Sequence, residues 1–519
     1  MKYLLLLLPV VISVAHGQQT TAGRLRIAEQ MEKSLTKELL DVWYPRSIDT
    51  ANGGFTSAYA YNFKEAPNQD KMIVTQARHV WTNSKASERY PGISYYKTGA
   101  AHGFAFLQNV MWDKDYGGFY SLTSRQGYVF PDLAKAVTEI IADKLGVPIP
   151  EVIPDASLRN DLGADELDDV EIVMALEKEF NINIPDADVD GFLTVRNVVD
   201  YIARNKETRK EAYGNAFGIY ALAAYYHASG DTAALNLAKK AFAWLDKHAH
   251  DTLYKGYYQH LQRDGTPVKR NAGVPSTSDL GYKDQNSSIH ILEAFTELYG
   301  VWKDDTLKSR LQEMLLLIRD VIYTQKGSLQ LFFQPNWSPV SFADSSVASI
   351  SRHHSLDHVS FGHDVETAYL MLEASHVLGL HSDTLTERIS KLAVDHALQN
   401  GWDDNVGGFY DEGYYFKNKQ GITIIHDTKN WWAQAEGLNT LLLMAEKYPA
   451  DKMQYYRKFE MLWDYVQNYL VDHVHGDWYE GGLDKQPDKA KAQKGHIWKA
   501  TYHNYRGLTS CINRLKQMQ

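Results

Sequence analysis

Cysteine is nearly missing from this chain of 519 residues, because Cys511 is the single one. One thiol cannot form an intramolecular disulfide framework, and its position near the C-terminus excludes a lipidated cysteine at an N-terminal cleavage site. Long apolar runs are also missing beyond the N-terminal region, although 44% of the residues are hydrophobic. The composition therefore predicts a soluble globular protein with enough apolar material for a large core.

The N-terminus has the three parts of a secretory signal peptide. Met1 and Lys2 form the positive start, an apolar stretch follows, and Ala15-His16-Gly17 has the small-x-small pattern of a cleavage site. We predict that residues 1–17 are a signal peptide and that the mature protein is periplasmic or secreted. An uncleaved anchor is the alternative, but the apolar run is shorter than the roughly 20 residues that a membrane span needs.

Residues 131–205 differ in composition from the rest of the chain. They contain 17 Asp and Glu against 6 Lys and Arg, a net charge of −11, whereas the whole chain carries −10. Three stretches of this window, 133–145, 166–180 and 194–205, have the apolar spacing of helices. We predict an independent acidic four-helix bundle here.

A repeated theme fills the remaining sequence: two apolar helical stretches, then a turn with Asp, Gly and aromatic residues. The glycines are typical of tight turns and the flanking Phe and Tyr of short strands, so each copy predicts a β-hairpin. Six copies of about 64–80 residues predict twelve helices in a closed all-α ring, an (α/α)6 barrel. The turns are DTANGGF (49–55), DKDYGGFY (113–120), DTLYKGYY (251–258), QKGSLQLFF (325–333), DDNVGGFY (403–410) and DWYEGG (477–482).

The spacing of the turns also places the acidic window. The turn glycines Gly117 and Gly256 are 139 residues apart, and removal of the 75-residue window leaves 64. A hairpin loop tolerates such an insertion because few backbone contacts are lost there. We therefore predict a discontinuous barrel domain, residues 18–130 and 206–519, interrupted by 131–205.

Four polar groups embedded in apolar helical stretches are candidates for catalysis. Side chains three or four residues apart share a helix face, where a carboxylate can orient an imidazole for proton transfer or amides can bind sugar hydroxyls. Each group alone is more simply explained as part of a core, but their joint presence in a tryptophan-rich barrel favours a site. The groups are His363 with Glu366; Asn286 with His290 and Glu293; His503 beside aromatic residues; and Arg78 with Trp81.

A histidine-rich run raises the alternative of a metal site. The run RHHSLDHVSFGH contains Asp357 and four histidines, but it has no H-E-x-x-H or similar ligand spacing. A histidine-rich loop near a sugar site explains it better, so we expect neither a metal nor a cofactor. The four histidines are His353, His354, His358 and His363.

Paired carboxylates raise the alternative of a glycoside hydrolase. Asp403 with Asp404, or Asp364 with Glu366, supply the two carboxyl groups that such an enzyme needs. Asp403 and Asp404, however, lie in a repeated turn whose other copies also contain Asp. A structural role in the turn is therefore favoured for them.

The acidic window resembles an acyl carrier protein. Its stretch DLGADELDDVEIVMALEKEF (161–180) is similar to the signature helix of the carriers, but Glu166 stands where they have the serine that takes phosphopantetheine. A carboxylate cannot form that phosphodiester, so we expect no carrier function. A natural decoration, a face that docks a protein partner and an engineered fusion all stay open as explanations of the insert.

Six short motifs follow one another in the rest of the chain: R-x-x-W-x-x-S (78–84), Y-G-N-A-F (213–217), N-x-x-x-H-I-L-E-A (286–294), G-H-D-V-E (362–366), W-W-A-Q-A-E (431–436) and W-K-x-x-Y-H-N (498–504). In this order they resemble the N-acylglucosamine 2-epimerase superfamily, most of all its cellobiose and mannobiose 2-epimerases. The resemblance covers about 18–130 and 206–519. It implies an (α/α)6 barrel, which agrees with the repeat count.

The resemblance implies cofactor-free inversion at C2 of the reducing-end sugar of a β-1,4-linked disaccharide, through an enediolate. Inversion requires two general acid–bases, and the matching residues are His363 and His503. The resemblance also implies that Arg78 stabilises the developing oxyanion and that Glu366 orients His363. Residues implied to bind or position the sugar are Asn286, His290, Glu293, Tyr369, Trp432 and Glu436.

Two departures from the family pattern concern the choice of sugar. Tyr369 stands where these disaccharide epimerases generally have Trp, and Ala500-Thr501 replaces Cys-Pro. An aldose–ketose isomerase of the same fold, a non-catalytic carbohydrate-binding barrel and an enzyme that works through the carrier-like insert are the alternative functions. We expect a small saccharide as partner, no nucleic acid, and no membrane contact after signal cleavage.

Overall fold

The computed structural model describes residues 20–67, 69–123, 125, 133–180, 184–206, 210–270, 278–324 and 326–518. The predicted signal peptide, residues 1–17, lies outside the described residues. Among the helices described, none combines the length and apolar character that a membrane crossing requires.

Two rings of helices form the barrel domain. Within the described ranges, inner helices 1 to 6 are Ile73–Arg89, Ala212–Ser229, Gln285–Val301, Phe361–Val377, Trp431–Lys447 and Tyr502–Gln517. The outer helices are Thr21–Lys33, Ser94–Phe106, Thr232–His248, Asp305–Leu317, Thr384–Asn400 and Tyr455–Tyr465. Each inner helix contacts the next one, and inner helix 6 contacts inner helix 1, so the ring closes. The predicted (α/α)6 barrel is confirmed.

Inner and outer helices differ in their pattern of apolar residues. Inner helix 2, AYGNAFGIYALAAYYHAS, is buried from Ala212 to Tyr225 because one side faces the barrel interior and the other the outer ring. The outer helix Thr232–His248 buries only one stripe, and Asp231 caps it by accepting a hydrogen bond from Ala233 N. Four outer helices end in π-helical turns, at Ser34–Leu40, Leu107–Met111, Ile318–Ile322 and Val466–Leu470.

Short antiparallel strands pair at the start of inner helices 1 to 4. The two-residue pairs are Lys71–Met72 with Leu122–Thr123, Lys210–Glu211 with His260–Leu261, and Lys283–Asp284 with Phe332–Phe333. The fourth is a three-stranded sheet in which Glu412–Tyr414 lies between Val359–Ser360 and Thr423–His426.

Six hairpin turns follow the outer helices, as the repeats predict. The residue pairs that close them are Ile48 and Phe55, Trp112 and Phe119, His250 and Tyr257, Tyr323 and Leu329, Trp402 and Phe409, and Val471 and Trp478. The position predicted for the sixth turn was wrong: Gly476 and Asp477 form it, not Gly481. Asp477 adopts the left-handed conformation, φ 56°, that a second glycine has in other copies. Because this position is not glycine, the sequence pattern did not mark the turn.

A buried Asp–Lys pair ties most of these turns to the residue that precedes the next inner helix. The Nζ to carboxylate distances are 3.1 Å for Asp49–Lys71, 2.9 Å for Asp113–Lys210, 2.8 Å for Asp251–Lys283 and 2.8 Å for Asp403–Lys429. In the sixth turn the equivalent aspartate, Asp472, pairs with Lys494 at 2.9 Å, and Asp477 pairs with Lys499 at 2.7 Å. The fourth unit has Thr324 and Val359 at the two positions. The carboxylate of Asp403 also accepts from two turn amides, which supports the structural role predicted for it.

The insert forms a small bundle with its own core. Its helices are Leu133–Leu145, Glu166–Phe180, Asp186–Val189 and Val195–Lys206, so the four-helix prediction is confirmed. The core contains, among others, Val137, Ile141, Ile172, Leu176, Val198 and Ile202, and among the described residues no barrel residue belongs to it.

Candidate active site

Equivalent positions of the six inner helices supply the centre of the site. Each of these positions lies in the second turn of its inner helix. It follows by seven residues the lysine that stands just before the helix, or Val359 in the fourth unit. These residues contact one another: the guanidinium of Arg78 lies 4.5 Å from the Phe217 ring, which lies 4.8 Å from the His290 ring. The full set is Arg78, Phe217, His290, Glu366, Glu436 and Arg506.

Arg506 is the centre of a buried charge cluster that the sequence analysis missed. Its Nη2 donates to Oε1 of Glu366 at 2.6 Å and lies 2.7 Å from Oε1 of Glu436, and its Nη1 binds Glu293. Tyr502 also donates its hydroxyl hydrogen to Glu293. One guanidinium therefore faces three carboxylates. The signal available was spacing alone, because Arg506 follows His503 by three residues on one helix.

The three carboxyl groups differ in their affinity for protons. Burial raises the pKa of both Glu366 and Glu436 to about 7. Burial would also raise the pKa of Glu293, but Arg506 and the hydrogen-bonded His290 outweigh it and lower that pKa to about 2. Since one arginine cannot balance three negative charges, Glu366 and Glu436 hold a proton between them near neutral pH.

Glu436 holds His503. The Nδ1 of His503 lies 2.7 Å from Oε1 of Glu436, and the ring is only 6% exposed. Burial, with Arg78 and Arg506 nearby, lowers the pKa of His503 well below its usual value. Because Nδ1 is engaged, Nε2 is the nitrogen that can meet a substrate.

Ser360 holds His363. The Nδ1 of His363 lies 2.9 Å from Oγ of Ser360, the residue that precedes inner helix 4. The prediction that Glu366 orients His363 was wrong: Glu366 binds Arg506 and lies 4.0 Å from Nδ1 of His503. Helical spacing put the two residues on one face, but the guanidinium competes better for the carboxylate than a neutral imidazole does. Burial, with His290 and His358 nearby, lowers the pKa of His363 to about 3.

Trp432 connects the two histidines. Its ring centroid lies 4.7 Å from that of His363 and 5.9 Å from that of His503. The side chain is half-buried, so part of the indole faces the barrel opening. Two imidazoles and one indole thus border the same space.

Arg78 lies on the other side of the cluster. Its Nη1 donates to the carbonyl oxygen of Trp498 at 2.9 Å and its Nη2 to the hydroxyl of Tyr213 at 3.1 Å. The guanidinium packs on the rings of Phe217 and Tyr502. Its buried Nε has no hydrogen-bond partner among the described residues.

The remaining predicted residues lie around this centre. His290 Nδ1 is 2.8 Å from Oε2 of Glu293, and Asn286 is half-buried in the first turn of inner helix 3. The ring of Tyr369 lies 5.7 Å from the guanidinium of Arg506, one helical turn beyond Glu366. Their roles in substrate binding stay predictions.

Three donors of the site have the spacing of metal ligands. Atoms of Glu366, Glu436 and His503 lie within 4.8 Å of one another. Arg506, however, donates to both carboxylates and places its charge between them. This donor set is therefore satisfied by the guanidinium, and it fits a protein-only proton-transfer site.

The site lies at the N-terminal ends of the inner helices. Contacts between equivalent residues, such as Arg78 with Phe217 and Arg506 with Glu366, show that these helices point the same way around the ring. Each N-terminus carries a partial positive charge. Six such ends favour an intermediate with negative charge on oxygen.

Comparisons with known proteins agree with the fold and the family. Residues 53–135 and 172–506 match the N-acylglucosamine 2-epimerase (GlcNAc 2-epimerase) family, and residues 135–202 match the phosphopantetheine attachment site family. The cellobiose 2-epimerase of Bacteroides fragilis is 26% identical over 510 residues, covering 94% of this chain and 98% of the relative. That of Ruminococcus albus is 24% identical over 491 residues, covering 93% and 98%.

Solved structures show the same barrel. Cellobiose 2-epimerase from Bacillus thermoamylovorans B4167 superposes with a TM-score of 0.69 at 22% identity, covering 94% of this chain and all of that one. A D-mannose isomerase gives a TM-score of 0.66 at 17% identity, covering 94% and 97%. Fold and family match define a carbohydrate epimerase. The chain belongs to the N-acylglucosamine 2-epimerase family and contains an insert that matches the phosphopantetheine attachment site family.

Proposed function

We propose that the protein inverts C2 at the reducing end of a β-1,4-linked disaccharide of the cellobiose or mannobiose type, with His363 and His503 as the two proton carriers. The observation that carries the proposal is the pair of imidazoles beside one indole, Trp432, each with Nδ1 held by another side chain. Burial lowers the pKa of both histidines, which keeps them neutral and able to accept a proton.

The proton path at His503 includes Glu436. In one direction Nε2 removes the C2 proton while Nδ1 passes its hydrogen to the Glu436 carboxylate. In the other direction protonated Glu436 donates to Nδ1 and Nε2 delivers a proton to C2. The pKa of about 7 for Glu436 suits both states at neutral pH. His503 then never has to hold a positive charge beside Arg78 and Arg506.

The enediolate intermediate needs stabilisation of the charge on its oxygens. Arg78 lies near His503, and its Nε has no hydrogen-bond partner in the described part of the chain. A donor held in a buried site needs no reorganisation during the reaction, and the loss of one costs about 10²–10³ in rate. We assign the C1 and C2 oxygens of the intermediate to Arg78 and the helix N-termini.

The disaccharide preference rests on the relatives and on the aromatic residues at the opening. The matched curated relatives are named cellobiose 2-epimerases. Trp498 is 44% exposed at the rim, its ring 6.2 Å from Tyr213, while its carbonyl accepts from Arg78. An exposed indole next to the site suits stacking against a second sugar ring.

Incubation in D2O followed by NMR tests the reaction. We expect cellobiose or mannobiose to yield the 2-epimer with deuterium at C2, and free glucose and mannose to react more slowly. A ketose product would instead identify an aldose–ketose isomerase, and no exchange with any of these sugars would refute both reactions.

Histidine variants test the mechanism in the same assay. We expect His363→Ala and His503→Ala each to reduce epimerisation by at least about 10²–10⁴-fold while the far-UV circular dichroism is unchanged. The matched control is His376→Ala, at the opposite end of the helix that carries His363, which should retain full activity. Near-normal activity of either first variant contradicts the assignment.

We also propose the predicted domain organisation, with residues 1–17 directing export and 131–205 forming an insert without carrier function. Incubation with coenzyme A and a phosphopantetheinyl transferase should leave the mass of the intact protein unchanged. The matched variant Glu166→Ser restores the hydroxyl that carriers use. Modification of the unaltered protein would refute this part of the proposal.

A further inference from the structure

Three side chains with metal-ligating atoms meet outside the active site. His354 lies in the 3-10 turn His354–Leu356, shortly before the strand Val359–Ser360, whereas Glu412 and His426 face each other on paired strands. The Nε2 of His354 lies 3.7 Å from Oε2 of Glu412, and Nδ1 of His426 lies 2.8 Å from the same oxygen. All three ligand atoms lie within 4.8 Å of one another.

Backbone carbonyls orient two histidines toward this carboxylate. The Nδ1 of His354 lies 3.0 Å from the carbonyl oxygen of Ser351, and the Nδ1 of His358 lies 3.0 Å from that of His354. A carbonyl only accepts, so each Nδ1 carries the hydrogen and each Nε2 presents a lone pair. This arrangement is the usual support of metal-binding histidines.

The Nε2 lone pairs of His354 and His358 face the carboxylate of Glu412, which also has only lone pairs to offer. The Nε2 atoms of His354 and His358 lie 3.7 Å from the two different oxygens of Glu412. Such groups repel one another unless positive charge lies between them. The geometry therefore suits a bound cation.

We propose that His354, Glu412 and His426 bind a zinc ion, with His358 beside them. Two imidazoles and a carboxylate form one of the ligand sets that zinc prefers. Zinc–ligand bonds of about 2.0 Å place tetrahedral ligand atoms about 3.3 Å apart. The separations of 2.8 and 3.7 Å to Oε2 of Glu412 bracket that value, so small side-chain rotations complete the site.

The ion would fasten the part of the barrel that has no Asp–Lys pair. The fourth unit has Thr324 and Val359 where four other units have the paired Asp and Lys. Zinc would tie the His354 turn to the strands Glu412–Tyr414 and Thr423–His426. The same sheet contains Ser360, which holds His363, so the ion stabilises the position of a catalytic histidine from a distance.

Zinc titration of the tag-free full-length chain after dialysis against a chelator tests the proposal. Isothermal calorimetry should show one zinc ion per chain, and zinc in excess should raise the melting temperature by a few degrees. Cobalt(II) should give the visible absorption of a tetrahedral site. His426→Gln and Glu412→Gln should each weaken zinc binding by at least about 100-fold; His426 is half-exposed, so its variant should fold normally without zinc.

Two controls make the outcome decisive. His353→Gln changes a histidine of the same run that stacks on Phe342, and it should bind zinc normally. His503→Ala removes a ligand of the active-site donor set, and it should also bind zinc normally. No binding to the unaltered chain, or equal binding after His426→Gln and Glu412→Gln, overturns the proposal without affecting the proposed epimerase reaction.

Discussion

Glu436 Oε1 lies 2.7 Å from His503 Nδ1, and both side chains are buried. Burial raises the pKa of the Glu436 carboxyl to about 7, so it exchanges protons with the imidazole at neutral pH. In the proposed mechanism, this pair therefore connects the imidazole of His503 to a second group that can hold the proton.

Glu436→Gln tests that connection. The amide keeps the size and one hydrogen bond but cannot exchange a proton, so kcat should fall by about 10²–10⁴-fold with little change in KM. Stopped-time NMR assays over a substrate series measure both constants. The control is Glu446→Gln, whose carboxylate pairs with Arg514 at the surface and should not matter. An unchanged kcat in Glu436→Gln refutes the role.

Arg506→Met tests the buried charge cluster. Its removal leaves Glu293, Glu366 and Glu436 without their shared cation, so the free energy of unfolding should fall by about 3–5 kcal/mol. Urea unfolding followed by tryptophan fluorescence measures the change. Arg514→Met removes a partly exposed pair and should cost at most about 1 kcal/mol. Equal losses in the two variants would contradict the argument.

Stability should depend on pH through Glu436. The folded-state pKa of about 7 exceeds the ordinary 4.5, so between these values the folded protein holds a proton that the unfolded chain has released. This contribution is fully present below pH 4.5 and is lost as pH rises through 7. The difference in unfolding free energy between the unaltered protein and Glu436→Gln, measured from pH 4 to 8, should therefore shrink with increasing pH. A difference that grows with pH would contradict this sign.

Lys283→Met tests the Asp–Lys pairs of the barrel. The variant leaves Asp251 buried without its cation and should cost about 3–5 kcal/mol in chemical unfolding. The double variant Asp251→Thr with Lys283→Val copies the residues of the fourth unit and should recover part of that loss, because no charge stays buried. A double variant less stable than the single one would show that the pair contributes net stability.

Replacement of residues 131–205 by a short Gly/Ser turn tests the independence of the insert. Within the described ranges its core contains no barrel residue, so the shortened protein should fold and keep its epimerase activity within about threefold. The assay is the same NMR measurement. Loss of soluble active protein would show that the insert is integral to the barrel.

Repetition explains how much of the fold was predictable. The glycine turns and the apolar helical spacing are local features, so the twelve-helix ring and the insert bundle follow from sequence. The sixth turn was misplaced because Asp477 adopts a left-handed conformation that glycine marks elsewhere. A left-handed backbone conformation at a residue other than glycine cannot be recognised from the residue type.

The residues of the site were predictable, but their partners were not. Motif order proposed His363, His503 and Arg78 for the site, and the structure places Trp432 between the two histidines. Spacing suggested that Glu366 serves His363, whereas Arg506, from another helix, binds Glu366 and Ser360 holds His363. Local spacing within one helix does not show which side chain of another helix will bind a given carboxylate.

By itself, the sequence determined the helix count and the family, because repeats and motifs lie within single helices. Tertiary structure alone decided which carboxylate meets which imidazole, that Arg506 joins three glutamates, and that His354, Glu412 and His426 converge. These contacts join residues tens to hundreds of positions apart. Closure of the ring sets them, and no local pattern encodes that closure.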